Sequence, residues 1–174
     1  MTMLLNGTNG VTFPSGHVSN GIAAIGLSAT TSGTFIDFTL PVTGVRRVSL
    51  LLGGVSTNGT NNVIVQIGPS GGVETSGYVG GGFDGAAAFA CAASGFSDGT
   101  ASAAIIREAI YTMELLDPAT NAWMCQLVCG LSNAAGMRLL GARKALAGAL
   151  AKIRLTTVGG TDTFDAGNAN LYYE

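Results

Sequence analysis

Glycine punctuation constrains this chain more than any other feature. Its 27 glycines, against 4 prolines, fall in clusters that separate short stretches of β-branched, aromatic and other apolar residues. That spacing is expected of an all-β domain. TFIDFTLP (34–41) combines aromatic and β-branched residues and stops at Pro41. VRRVSLLLGGVS (45–56) reads as a second strand, and STNGTNN (56–62) as a turn in which Asn58-Gly59 takes positive φ at little cost. VIVQIG (63–68) follows, with Val63, Val65 and Ile67 on one face. The long glycine-rich segment 69–85 is expected to hold one short strand over 73–78, and the small-residue segment 86–94 fits no single element.

The second half carries the firmest pattern. In 104–117, Tyr111, Met113 and Leu115 alternate with Thr112 and Glu114; in 121–130, Trp123, Cys125, Leu127 and Cys129 share one face. With the turn at Asp117-Pro118 between them, the stretches 108–116 and 121–129 predict an antiparallel hairpin. The segment 137–152 is rich in Ala, Leu, Arg and Lys and has helical propensity. Gly136 at its border and Gly141 and Gly148 inside it weaken a helix, each interior glycine costing about 1 kcal/mol; strand is the favoured reading, partly on the resemblance given below. Segments 152–160 and 168–174 complete about ten strands, which points to an antiparallel β-sandwich, jelly-roll-like, over 23–174. The terminal alternation predicts Leu171 and Tyr173 in the core and Tyr172 facing a neighbouring subunit or solvent.

Only 10% of residues are charged, against about 25% in an average domain. Ser, Thr, Asn and Gly must therefore supply most of the surface, and little charge repulsion opposes association of copies. The net charge of −2 and basic runs no longer than Arg46-Arg47 and Arg143-Lys144 exclude a general nucleic-acid binder. No stretch approaches the roughly 18 apolar residues of a membrane span, and no basic secretory n-region opens the chain. Neither nucleic acid nor membrane insertion is expected.

Cys91, Cys125 and Cys129 are odd in number, and Cys125 and Cys129 lie about 13 Å apart along one strand face. Buried free thiols are expected, as in a chain folded in a reducing cytosol. Catalytic machinery is hard to assemble. His17 is the sole histidine, and nothing singles out a pair among Asp37, Glu74, Asp84, Asp98, Glu108 and Glu114. GGGFDG (80–85) lacks the Lys-Ser/Thr of a phosphate loop, and Asp162 with Asp165 reads as turn chemistry rather than a cation site. No enzyme activity, cofactor or metal is expected.

GVTFPSGHV (10–18) resembles a segment that recurs in the tail fibres of bacteriophages and prophages, matching at Gly10, Val11, Thr12, Phe13, Pro14 and Gly16. Ser15 stands where an acidic residue is common and His17 where threonine is. In the same order, 35–80 resembles the body of a tail-fibre C-terminal, receptor-binding tip domain, and 152–174, with TDTFDAG, resembles its end. Segments 86–104 and 130–148 match least.

The resemblance implies a virion protein made in the host cytoplasm, built of β-strands and usually homotrimeric. Such a protein binds other virion proteins and presents loops to a host surface glycan or outer-membrane component. Candidate contacts on the glycine-rich loops are Tyr78, Phe83, Asp84, Phe96 and Asp98. Residues 1–22 are expected to form an attachment segment in which Pro14 holds Phe13 extended, so that Phe13 plugs an apolar seam. Tyr172 joins Phe13 and Pro14 as an assembly candidate. The same fold used as a capsid or tail decoration (cement) protein is the alternative reading.

Overall fold

A computed structural model describes residues 4–6, 10–12, 18–19, 22–41, 43–99 and 102–174, the pieces before 22 by their backbone course. Phe13 and Pro14, and with them the plug expected of 1–22, lie outside the described residues. β1 (Leu4–Asn6), β2 (Gly10–Thr12) and β3 (Val18–Ser19) form a small antiparallel sheet of their own. The strands that follow are β4 (Ala23–Ala29), β5 (Phe35–Thr39), β6 (Arg47–Thr57), β7 (Val63–Gly68), β8 (Val79–Phe83) and β9 (Ala88–Ala90). They continue with β10 (Phe96–Ser97), β11 (Arg107–Asp117), β12 (Ala122–Leu131), β13 (Met137–Ala145), β14 (Lys152–Thr157) and β15 (Phe164–Tyr173).

These strands build an antiparallel β-sandwich of unequal leaves. The large sheet has eight strands in the order β4-β15-β6-β11-β12-β13-β8-β9, and the small sheet has four, β10-β7-β14-β5. Their inner faces share one core. Val48, Leu50, Tyr111, Met113, Trp123, Leu127 and Leu171 of the large sheet meet Phe38, Val65, Ile67, Ile153 and Leu155 of the small one. Each such side chain contributes about 1.5–3 kcal/mol by leaving water.

The 11-residue β11 and 10-residue β12 form the expected hairpin, with Ala109 opposite Cys129 and Met113 opposite Cys125. Trp123, Cys125, Leu127 and Cys129 all point inward and are buried. Residues 137–145 are strand, against their helical propensity, because β12 and β8 flank them and take up their backbone hydrogen bonds on both sides. Alternation then buries Leu140, Ala142 and Lys144. The chain leaves the sheet after Ala145, and Leu146 and Leu150 drop into the core from an irregular connection.

The strand expected over 73–78 is absent. The chain is irregular there, and the strand begins at Val79. The anchor is Tyr78, whose hydroxyl accepts from Ile67 N–H at 2.7 Å and donates to the Glu74 carbonyl at 2.9 Å. Its backbone N–H donates to the Ala93 carbonyl at 3.3 Å.

The C-terminal strand is central, with β4 on one side and β6 on the other. Leu171 is fully buried as expected, whereas Tyr173 is only half-buried, packed against the core margin. Gly167 makes this strand's bulge possible. It has φ +93°, and a Cβ there would lie 2.5 Å from the Gly54 carbonyl carbon, so a side chain would force the strands apart at the register shift between Ala166 and Asn168.

Candidate functional site

The large sheet turns one face to the core and leaves the other outward, and the register aligns an apolar row across that outward face. Leu27 stands opposite Asn170, Asn170 opposite Leu51, and Leu51 opposite Ile110. The row continues through Val128 and Leu139 to Phe83. Five of these are large exposed hydrophobics: Leu27 (70%), Ile110 (48%), Val128 (51%), Leu139 (40%) and Phe83 (47%). At about 4.8 Å per strand the row is about 29 Å long.

Beside it lies a row of small and polar residues, Ser49, Thr112, Gln126, Gly141 and Gly81, with Tyr172 next to Ser49 at one end. Beyond that runs a third row of Arg47, Glu114, Met124, Arg143 and Val79. Arg47 is bound there by Glu114 at 2.6 Å and by Glu174 at 2.7 Å. The outward face thus has an apolar centre, a flat strip and an ion-paired margin. The exposed Leu27, Ile110, Val128, Leu139 and Phe83 thus lie in line rather than scattered singly, the arrangement that marks interaction surfaces.

β8 keeps this end flat through Gly82, where a Cβ would lie 2.1 Å from the Leu139 carbonyl oxygen and 2.4 Å from the Phe89 ring. Any larger residue would push β8 away from β13 and break the row before Phe83.

The five candidate loop contacts do not form one surface. Tyr78 and Phe96 are core residues, 2% and 0% exposed, in edge-to-face contact with ring centroids 4.9 Å apart. Asp98 is equally buried and pairs with Arg107. Tyr78 is held in by its hydroxyl's bond to the Ile67 backbone, Phe96 by the pairing of β10 with β7 and Asp98 by Arg107, which removes these three from any host-facing surface of the subunit.

Phe83 is exposed and ends the apolar row. Asp84, next to it, caps its own turn by accepting from the backbone N–H groups of Ala87 at 2.7 Å and Ala86 at 2.9 Å. Those two bonds, with Arg138 nearby, hold its carboxyl below the usual range. Tyr172 is half-buried on the outward face opposite Ser49 and lines a shallow hollow with Ile22, Arg47 and Glu174. Its hydroxyl accepts from Asn170 Nδ2 at 3.2 Å.

Sequence reasoning passed over Ile110, Val128 and Leu139. The available signal was apolar residues at the wrong parity, such as Met124 and Val128 in NAWMCQLVCG (121–130), where outward positions should be polar.

Among the described residues no group of three or more His, Cys, Asp or Glu is placed to hold a metal ion. Asp162 accepts from Asn61 N–H and Nδ2 at 2.8 and 2.7 Å, and Asp165 accepts from Ser56. Each carboxylate therefore closes its own connection. His17 lies outside the described residues. No family model, no curated protein and no solved structure matches the chain.

Proposed function

We propose that this protein is a non-enzymatic structural subunit of a bacteriophage particle, of the tail-fibre or tail-tip type. On this reading it assembles with copies of itself as a homotrimer through the outward face of the large sheet. The observation that carries the assembly is the row from Leu27 to Phe83, an uncharged apolar stripe on a chain with little charge anywhere. Sheet faces left this apolar are stable in water chiefly when covered. The phage setting comes from the sequence resemblance.

Burial of Tyr78, Phe96 and Asp98 leaves Phe83 and Asp84 as the only exposed or half-exposed members of the loop set. That favours a second reading, in which the same face seats the subunit on a capsid or tail as a decoration protein.

Val128→Lys places a charge at the centre of the row without touching the core. The full-length protein is expected to elute with trimer mass by light scattering, and V128K as a monomer with unaltered circular dichroism and melting. A V128K protein with the parent's mass would remove this face from assembly. Density of the intact particle then separates tail from shell.

A further inference from the structure

We propose that Met124 and Met137 are oxidation sites through which a hydroperoxide blocks assembly on the outward face of the large sheet. The inference rests on the assembly reading above, and its test separates the two. Two-residue alternation turns both side chains away from the core. They are 42% and 51% exposed. Polar residues are expected at such outward positions, and both carry a thioether instead.

The two residues flank the apolar row. Met137 stands two positions from Leu139 on β13, so their side chains share the outward face about 6.6 Å apart along the strand. Its cross-strand neighbour is Gly130, which has no side chain to cover the sulfur. Even a Cβ added there would meet nothing closer than the Glu108 carbonyl oxygen at 4.0 Å. Met124 lies on the other side of the row, beyond the strip of small and polar residues, between Glu114 of β11 and Arg143 of β13. A partner laid over the row therefore meets a thioether on each flank. Methionine suits that place because its unbranched, polarisable side chain adapts to the surface it meets. Met113 supplies the contrast. It has the opposite parity on β11, is 0% exposed and packs in the core. The fold thus sorts these three thioethers, two within reach of a peroxide in the free subunit and one sealed away.

The step is a two-electron oxygen transfer. A lone pair of the methionine sulfur attacks one oxygen of the hydroperoxide. The O–O bond breaks, an S–O bond forms, and the other oxygen leaves as water or an alcohol. The sulfur is oxidised and the peroxide reduced. The sulfoxide is polar and chiral, and a pair of reductases, one for each epimer, returns it to the thioether. Its oxygen must shed water to enter an apolar contact, which costs free energy unless a donor replaces that water. Oxidation therefore acts on the free subunit and holds it there, whereas assembled copies cover the same sulfurs.

The test uses the full-length protein, diluted, treated with hydrogen peroxide, cleared of it with catalase and reconcentrated. Peptide mapping should find one added oxygen on Met124 and on Met137 and none on Met113. Light scattering should then give monomer mass, with circular dichroism unaltered. Met124→Leu combined with Met137→Leu should keep the parent's untreated mass before and after the same treatment. Both sulfoxide reductases with dithiothreitol should return the treated parent to its starting mass. That arm needs no variant and decides alone if the double variant does not assemble. A parent that is monomeric before any peroxide removes the assembly reading and this inference with it. Four results overturn this inference alone: sulfurs at 124 and 137 that resist oxidation or react no faster than Met113, a treated parent that stays assembled with both residues oxidised, a double variant that dissociates like the parent, or a parent that stays monomeric after both sulfoxides are reduced.

Discussion

Arg107 and Asp98 form an ion pair in which each side chain is 1% exposed. Arg107 opens β11 of the large sheet, and Asp98 directly follows β10 at the edge of the small one. The pair therefore ties the two leaves of the sandwich together where the core has run out.

Removing one partner should be far worse than removing both. Asp98→Ala leaves a buried guanidinium without its carboxylate and should cost about 3–5 kcal/mol. Asp98→Ala combined with Arg107→Met should recover much of that loss. Urea midpoints of the parent, the single and the double variant measure both effects, and additive losses would show that the pair is not coupled.

Glu74 gives the fold a dependence on acid. Burial opposes its charge, but the Ala147 N–H and the Lys144 ammonium outweigh burial and hold the carboxyl below its usual range. A depressed folded-state value means that its stabilisation is full above the unfolded value of about 4.3 and fades as pH falls through the folded value. Glu74→Gln should therefore lower stability at pH 7 and narrow the gap to the parent at pH 3. Denaturation curves at the two pH values check the sign, and a gap that widens in acid would contradict it.

The thiols should react in a fixed order. Burial raises all three, Cys125 well above its ordinary value and Cys129 to about 11. Cys91 is only half-buried, while Cys125 and Cys129 are sealed in the core. Iodoacetamide at pH 8 should label Cys91 slowly in the native protein, and Cys125 and Cys129 only after denaturant is added. Mass spectrometry of the digested protein reads the order.

The last residues should be indispensable. β15 lies between β4 and β6, so deleting 170–174 removes the inner half of a central ladder and strands β4. That truncation should be insoluble or aggregate on expression. Leu171→Ala, which keeps the ladder, should cost about 2–5 kcal/mol, read as a lowered melting temperature. Parent-like melting of the truncated chain would place this strand outside the core.

The sequence by itself determined the all-β class, the β11–β12 hairpin and the inward set of Trp123, Cys125, Leu127 and Cys129. Those features rest on turn chemistry and two-residue alternation, which are local and written in adjacent residues. Residues 137–145 carry helical propensity, and the strand reading rested on neighbouring glycines together with the family resemblance; the flanking ladders supply the physical reason.

Tertiary structure alone decided the rest. Tyr78 and Phe96 read as loop aromatics because nothing local shows that the Tyr78 hydroxyl reaches the Ile67 backbone. Asp98 read as a surface acid because its partner Arg107 lies nine residues on and across the sandwich. The outward row needed most of all the order of strands. Leu27, Ile110, Val128, Leu139 and Phe83 are scattered over more than one hundred positions of the chain. Only the register of neighbouring ladders, set by bulges and by which face is buried, brings them into line.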